Sequence, residues 1–243
     1  MSVRSRRWRS RVAVALGVAM LVAIAGCKPP ENSGQQAGQT TAAAGSSVPL
    51  GSGFDFYVLS LSWSPSYCET DEDQAANSQQ CRGGRPYAFV VHGLWPQFER
   101  GYPQDCQTDD PRVPTDEARG LLDIMPAIGL VGHEWRKHGS CSGLSQENYF
   151  KVLRAARERV TIPPEYRRLN DYLMQDPDGI ERAFLRDNPA IPADGIAVTC
   201  DNRYLREVRI CMTKDLSFRQ CDEVDQRAAC RLPKVVVPPV RGG

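Results

Sequence analysis

The stretches FVVHGLWPQF (residues 89–98) and GHEWRKHGSC (residues 132–141) contain all three histidines of the chain, His92, His133 and His138. Histidine is the side chain whose ordinary pKa suits proton transfer near neutral pH. A structural use of histidine would not require such clustering. The two stretches therefore indicate a catalytic site, and the rest of the sequence is interpreted around them.

The second stretch has a spacing that is informative if it forms a helix. His133 and Lys137 are then four residues apart and share a face, and Glu134 and His138 share the adjoining face. The spacing predicts that two imidazoles, a carboxylate and an ammonium group converge on one side of this helix. Trp135, which lies between them, is assigned to packing.

A zinc helix of the H-E-x-x-H type is the obvious rival, because it also places two histidines on one face. Here the two histidines are five residues apart, and Lys137 stands where the second ligand would be. A cation at that position would repel a metal ion. The spacing disfavours zinc, and neither a metal nor another cofactor is expected.

Phosphodiester transesterification is a reaction that needs two histidines, a carboxylate and a lysine without a metal. One imidazole removes a proton from a 2′-hydroxyl, and another protonates the departing 5′-oxygen. A lysine and a protonated histidine would stabilise the negative charge that develops between them. DNA has no 2′-hydroxyl, so the pattern predicts cleavage of RNA and no cleavage of DNA.

Both stretches resemble the active-site signatures of the ribonuclease T2 family, in its bacterial, ribonuclease I-like branch. The similarity includes FDFYVLSLSWSPSYCE (residues 54–69) and the late cysteines, and it covers roughly residues 54–230. The resemblance implies a single α+β domain in which helices pack on an antiparallel sheet. It also implies a monomeric endoribonuclease that cleaves single-stranded RNA through a 2′,3′-cyclic phosphate with low base specificity.

The resemblance further implies a role for each residue of the two signatures. His138 is similar to the family's general base, and His92 to its general acid. His133 corresponds to the histidine that holds the phosphate. Glu134 and Lys137 correspond to the pair that stabilises the transition state.

Trp95 resembles the aromatic platform on which the base 5′ to the cut stacks, an interaction of about 1–3 kcal/mol. A core position for this tryptophan is the alternative. Gln97 stands where many family members have an acidic residue, and Ser62-Trp63-Ser64 replaces a frequent Gln-Trp-Pro. Both departures concern recognition of the base and leave base preference open.

Nine cysteines are present, and setting Cys27 aside leaves eight, which predicts four disulfides in an oxidising compartment. The sequence alone permits 105 pairings. There is no C-x-x-C pair, which disfavours a thiolate zinc site. By resemblance, the pairs are Cys68–Cys81, Cys106–Cys141, Cys200–Cys230 and Cys211–Cys221.

The first residues are typical of an export signal. Five arginines precede an apolar run, Val12–Ala25, that is shorter than the roughly 20 residues needed to span a bilayer. The run ends at Ile24-Ala25-Gly26-Cys27, which resembles a bacterial lipobox. A lipoprotein-type signal peptide is therefore expected over residues 1–26, with lipidation of Cys27 as a possible membrane tether. Conventional cleavage near residue 26 is the alternative.

Residues 27–50 are rich in Gly, Gln, Ser, Thr, Ala and Pro, which predicts a flexible linker before a catalytic domain at residues 51–243. The protein is thus expected to be exported, as a periplasmic or outer-membrane-anchored lipoprotein or in secreted form. Because residues 1–26 contain five arginines and no acidic residue, the remaining chain is net acidic. This excludes a sequence-blind nucleic-acid binder, which would be strongly basic.

Hydrophobic patterning within the domain predicts a mixture of strands and helices without regular βαβ alternation, hence the α+β class. Strands are predicted near residues 54–61, 88–91, 196–200, 204–212 and 234–237. Helices are predicted from Thr115 through Ile128, after a Ser145 cap, and over residues 180–185.

Three other function classes are weighed. A non-catalytic RNA- or nucleotide-binding lipoprotein on the same fold would not need the full set of histidines, Glu134 and Lys137. A metallohydrolase would be inactivated by chelation. A structural lipoprotein would leave the clustering of the histidines unexplained.

Overall fold

The computed structural model describes residues 48–70, 78–82, 84–221 and 229–241. The predicted signal peptide, Cys27 and most of the predicted linker lie outside these residues. Val48, within the predicted linker, is already half-buried and packs against the hydrophobic core. All described residues belong to one compact unit, residues 44–243.

The central sheet has four antiparallel strands in the order β2-β1-β5-β4. Its strands are β1 (Phe56–Trp63), β2 (Phe89–Gln97), β4 (Ile196–Cys200) and β5 (Leu205–Met212). Two short strands, β3 (Leu173–Gln175) and β6 (Val235–Val237), pair separately as a second antiparallel sheet. The α+β class and the antiparallel sheet that the sequence predicts are confirmed.

Strand β1 lies between β2 and β5 and is buried on both faces. Tyr57, Leu59 and Leu61 point into the main core. The opposite face carries Val58, which packs with Cys211 in a smaller cluster. This smaller face continues into the candidate site.

Six helices within the described residues pack around the sheets: α1 (Ser64–Thr70), α2 (Gln79–Arg82), α3 (Thr115–Arg119), α4 (Ile128–Lys137), α5 (Gln146–Glu158) and α6 (Pro177–Asp187). Ser145 caps α5, as predicted, by accepting a hydrogen bond from the Asn148 backbone N–H at 3.3 Å. Asp176 caps α6 in the same way through Gly179 at 2.7 Å. Short 3₁₀ turns lie at Gly139–Ser142, Pro164–Tyr166 and Ala193–Gly195.

The predicted helix from Thr115 through Ile128 is wrong. Helix α3 ends at Arg119, a series of turns follows, and α4 begins at Ile128. Pro126 prevents the turns from continuing as helix into α4, because a proline disfavours helical backbone at the residue before it and has no N–H to donate. Leu121 and Met125 are buried nevertheless, so their apolar spacing reflects burial within turns.

Four disulfides join Cys68 to Cys81, Cys106 to Cys141, Cys200 to Cys230 and Cys211 to Cys221. These are the pairs that the family resemblance implies. Of the helices in the described ranges, none has the length and apolar character required to cross a membrane.

Candidate active site

The first signature forms β2, and His92 lies at an irregularity in that strand. Ser60 of β1 pairs with Gly93, but the next residue, Leu61, pairs with Val91. His92 is therefore the extra residue of a β-bulge and has no partner directly opposite on β1. Bulges re-aim a side chain out of the regular alternation of a strand and are common beside active sites.

The second signature forms the end of α4, and the helix stops one residue earlier than the sequence interpretation assumes. His133, Glu134 and Lys137 are helical, whereas His138 has left the helical conformation (φ −124°, ψ −49°). The His138 N–H still donates to the Glu134 carbonyl oxygen at 3.0 Å. Because the backbone leaves the helix at His138, the position of this side chain does not follow from helical spacing.

Residues from both signatures line one cavity of about 310 Å³. All six predicted site residues line it: His92, Trp95, His133, Glu134, Lys137 and His138. Gln97, which the sequence analysis relates to base recognition, also lines it, as do three residues not assigned from the sequence: Val58, Tyr102 and Arg209. The fold thus brings the two signatures together into a single pocket.

Glu134 occupies the floor of the pocket and is only 1 % exposed. Its Oε2 accepts a hydrogen bond from Trp95 Nε1 at 2.8 Å, and its Oε1 lies 3.5 Å from His92 Nε2. Burial raises the pKa of Glu134, and the opposing effects of His92 and Trp95 do not fully offset it. Glu134 can therefore hold the side chains of both His92 and Trp95 in position.

Trp95 is half-buried and links the two catalytic candidates. Its ring centroid lies 5.4 Å from that of His92 and 5.3 Å from that of His138. The Arg209 guanidinium lies 4.9 Å from the centre of the Trp95 ring. Trp95 is therefore part of the cavity wall as well as a packing residue.

His92 and His138 have opposite electrostatic environments. Burial lowers the pKa of His92, but the hydrogen bond and charge of Glu207, with Glu134, outweigh burial and raise it above the ordinary value. Burial, with the charges of Lys137 and His92, lowers the pKa of His138 to about 3. Near neutral pH, His92 is thus favoured as the protonated imidazolium and His138 as the neutral imidazole.

The environment of each ring explains this contrast. His92 Nδ1 lies 2.5 Å from Glu207 Oε1. The buried Nδ1 of His138 has no hydrogen-bonding partner among the described residues. His133 resembles His138, since burial and the charges of Lys137 and Arg136 lower its pKa.

Glu207 and Arg209 of β5 are two charged residues of the site that the sequence interpretation missed. Arg209 donates to Glu207 Oε2 from Nε at 2.9 Å and from Nη2 at 2.7 Å. Both residues lie more than 100 positions after the first signature, in a strand with no motif of its own. The only sequence signal is their two-residue spacing, which places both on one face of a strand.

Among the described residues, no group of three His, Cys, Asp or Glu side chains lies close enough together to hold a metal ion.

Comparison with known proteins gives consistent results. The sequence profile of the Ribonuclease T2 family matches residues 54–221. The chain is 32 % identical over 207 residues to a protein named Ribonuclease from Aeromonas hydrophila, covering 77 % of this chain and 87 % of that one. It is 23 % identical over 204 residues to Ribonuclease I of Escherichia coli, covering 67 % and 76 %.

The fold is also similar to that of a solved RNase-related protein from Calystegia sepium. The TM-score is 0.61 at 22 % sequence identity, and the match covers 78 % of this chain and all of the other. Together with the two signatures that line one cavity, these matches show that the chain belongs to the ribonuclease T2 family.

Proposed function

We propose that the chain is an endoribonuclease that cleaves single-stranded RNA by transesterification, with His138 as general base and His92 as general acid. The substrate's 2′-oxygen attacks the phosphorus as its proton passes to His138. The bond from phosphorus to the 5′-oxygen breaks, and His92 supplies the proton that this oxygen takes up. The products are a 2′,3′-cyclic phosphate and a free 5′-hydroxyl.

The opposite environments of two histidines in one cavity carry this proposal. A base must be neutral before the reaction, and burial without a carboxylate partner favours neutral His138. An acid must be protonated, and the nearby Glu207 and Glu134 carboxylates favour protonated His92. The pair is therefore matched to proton transfer in opposite directions.

The remaining signature residues fit the charge that develops on the phosphate. Lys137 and His133 line the same cavity and can donate to the phosphate oxygens. Glu134 is placed to hold His92 and Trp95 in position. No step of this scheme requires a metal or another cofactor.

Base recognition is proposed to be of low specificity. Trp95 supplies a partly exposed ring on which any base can stack. Gln97 and Tyr102 line the same cavity and can form additional contacts with the base. Because stacking does not read the base edges, such a site would accept all four bases with modest preferences.

We further propose that the protein works outside the cytoplasm as a monomer, with a signal peptide over residues 1–26, a linker over 27–50 and a catalytic domain over 51–243. The export-type amino terminus and the four disulfides support this proposal. Mass spectrometry of the native amino terminus tests it. A diacylated Cys27 supports a lipid tether, and an unmodified terminus near residue 26 supports conventional cleavage.

Purified oxidised protein incubated with a short single-stranded RNA in excess EDTA provides the main test. Fragments that end in a 2′,3′-cyclic phosphate are expected, and a substrate with a 2′-deoxy sugar at the cut should remain intact. His92→Ala and His138→Ala should each reduce cleavage by roughly 10²-fold or more without unfolding the protein.

Glu165→Gln is a suitable control, because Glu165 forms an exposed ion pair with Arg186. Folded wild-type protein that leaves RNA intact would favour the non-catalytic RNA- or nucleotide-binding alternative. Cleavage that is lost in EDTA and restored by zinc would favour a metallohydrolase. Full activity of a folded variant that carries both His92→Ala and His138→Ala would exclude the assigned acid–base pair.

A further inference from the structure

Of the carboxylates in the described part of the chain, Glu207 is the one that contacts His92 from outside both signatures. It is buried, and its Oε1 lies 2.5 Å from His92 Nδ1. Its other oxygen accepts both Arg209 hydrogen bonds, at 2.9 Å and 2.7 Å. Each carboxylate oxygen therefore has a separate charged partner.

Pairing of the central strands creates this contact. Strand β1 lies between β2, which carries His92, and β5, which carries Glu207 and Arg209. On β1, Ser62 pairs with Glu207 and Ser60 pairs with Arg209. These serines are small, so the side chains of β5 can reach across β1 to the bulge that holds His92.

The charges in this group are mutually compatible. Burial alone would raise the pKa of Glu207, but the hydrogen bond and charge of His92, with those of Arg209, lower it to about 2. The charge of Arg209 lowers the pKa of His92, and the charge of Glu134 raises it. Glu207 is therefore favoured as the carboxylate near neutral pH, and its negative charge favours protonated His92.

The same arrangement sets the orientation of the His92 ring. Because Nδ1 donates to Glu207, Nε2 is the nitrogen left to act on substrate, and it lies on the side of Glu134 at 3.5 Å. Without the Glu207 contact, the ring would be free to rotate or to adopt the other tautomer. An acid needs one defined nitrogen facing the leaving oxygen.

We propose that Glu207 is a positioning residue for the general acid: it holds the His92 imidazole through Nδ1 and leaves Nε2–H to protonate the departing 5′-oxygen, while Arg209 anchors Glu207. This inference rests on the proposed function, because it requires that His92 is the acid. It assigns to β5 a role in catalysis that neither signature contains.

Two substrates that differ only in the leaving group test the inference. A dinucleoside phosphate has a 5′-alkoxide leaving group that needs a proton. Uridine 3′-(4-nitrophenyl phosphate) has an aryl oxide that leaves without one. Glu207→Gln preserves the side-chain shape and removes its charge, so it should slow the first reaction roughly 10- to 100-fold and the second less than about 3-fold.

The pH profile supplies a readout that a purely structural role would not change. In Glu207→Gln, the alkaline limb of kcat/KM for the dinucleoside phosphate should move to lower pH, because protonated His92 has lost its carboxylate. The chain has only three histidines, so NMR titration can follow His92 directly. Its pKa should fall in Glu207→Gln and remain unchanged in the control Glu165→Gln.

His92→Ala separates failure of this inference from failure of the proposed function. If His92→Ala slows both substrates equally, His92 is not the acid and the proposed function itself fails. If His92→Ala spares only the aryl substrate while Glu207→Gln matches wild type on both, the role of Glu207 is overturned. The role of Glu207 would also be overturned if Glu207→Gln slowed cleavage of both substrates by the same factor.

A measurement on wild-type protein covers the case in which Glu207→Gln does not fold. At neutral pH, the ¹⁵N spectrum of His92 should show a proton on Nδ1 that exchanges slowly with solvent. A His92 ring without a proton on Nδ1 would overturn the inference.

Discussion

The α-carbon of Gly93 lies directly against the carboxylate of Glu134, and a Cβ at residue 93 would come within 3.0 Å of Glu134 Oε2. The same Cβ would also collide with Trp95 Nε1. Gly93 directly follows the bulged residue His92 on β2. The missing side chain therefore creates the space in which the hydrogen bond between Trp95 and Glu134 forms.

Gly93→Ala should displace Glu134 or Trp95, because the Trp95 ring is rigid and the buried Glu134 carboxylate is held by its hydrogen bond to that ring. We expect cleavage to fall by at least about 10-fold and the free energy of unfolding to fall by about 1–3 kcal/mol. Gly129→Ala is the matched control. Gly129 lies on the same helix as Glu134, and a Cβ at residue 129 would meet no other atom within 4 Å. Comparable losses in the control would contradict the prediction.

Trp95→Phe retains an aromatic face and removes the indole N–H that donates to Glu134 Oε2 at 2.8 Å. The buried carboxyl group of Glu134 then loses a hydrogen-bond donor, and we expect the free energy of unfolding to fall by about 1–3 kcal/mol. Stacking of the base is preserved, so kcat should fall more than KM rises. Steady-state kinetics and chemical denaturation check both expectations.

Trp135→Phe provides the comparison for this variant. Trp135 is buried against Tyr149, and its N–H donates to the Asp110 carbonyl oxygen at 2.6 Å, away from the cavity. We expect a loss of about 1 kcal/mol in stability with kcat unchanged. A larger loss of kcat in Trp135→Phe than in Trp95→Phe would argue against a special role for Trp95.

The pH dependence of kcat/KM should be unusually broad on the acid side. His138 must be neutral, and its pKa of about 3 means that activity is lost only as pH falls far below 6.5. His92 must be protonated, and its raised pKa means that activity is lost only as pH rises above 6.5. Circular dichroism at each pH separates titration from unfolding. An acid limb near pH 6.5 would show that the His138 environment is not the one described.

Removal of the Cys106–Cys141 disulfide should affect activity as well as stability. Cys141 follows His138 by three residues, and the Asp105 N–H, next to Cys106, donates to the Lys137 carbonyl oxygen at 2.8 Å. The double substitution Cys106→Ala and Cys141→Ala removes a disulfide between residues 35 positions apart. We expect the free energy of unfolding to fall by about 3–4 kcal/mol. We also expect a lower kcat at a temperature at which the variant remains folded.

The Cys200–Cys230 disulfide is the control because it links residues with a similar separation of 30 positions. Its removal should lower stability by a similar amount with kcat retained. Thermal unfolding and single-turnover kinetics of the two double variants provide the comparison. Equal losses of kcat would mean that the Cys106–Cys141 link has no special relation to the site.

The sequence predicts most of the site because its residues lie in two local patterns. The spacing of His133, Glu134 and Lys137 follows helix geometry, which depends on neighbouring residues alone. The exact position of His138 could not be derived in this way, since its backbone leaves the helix to enter the 3₁₀ turn Gly139–Ser142. Local periodicity does not report where a helix stops.

Glu207 illustrates why the remainder of the site could not be predicted. Its contact with His92 depends on the order β2-β1-β5 and on the register of β1 with β5. Neither property is visible within a single segment of sequence. The same limit explains the wrong helix through Leu121 and Met125, whose apolar spacing fits both a helix and a series of buried turns.

The contact between His92 and Glu207 spans 115 positions of the chain. A polypeptide that stops between residues 142 and 204 contains both signatures and all three histidines, yet it has neither this carboxylate nor strand β5. During synthesis, the parts of the site that are recognisable in sequence are thus made long before the acid can acquire its partner. Incomplete or truncated chains would be poor nucleases, and full activity would appear only once the carboxyl-terminal third has been added to the sheet.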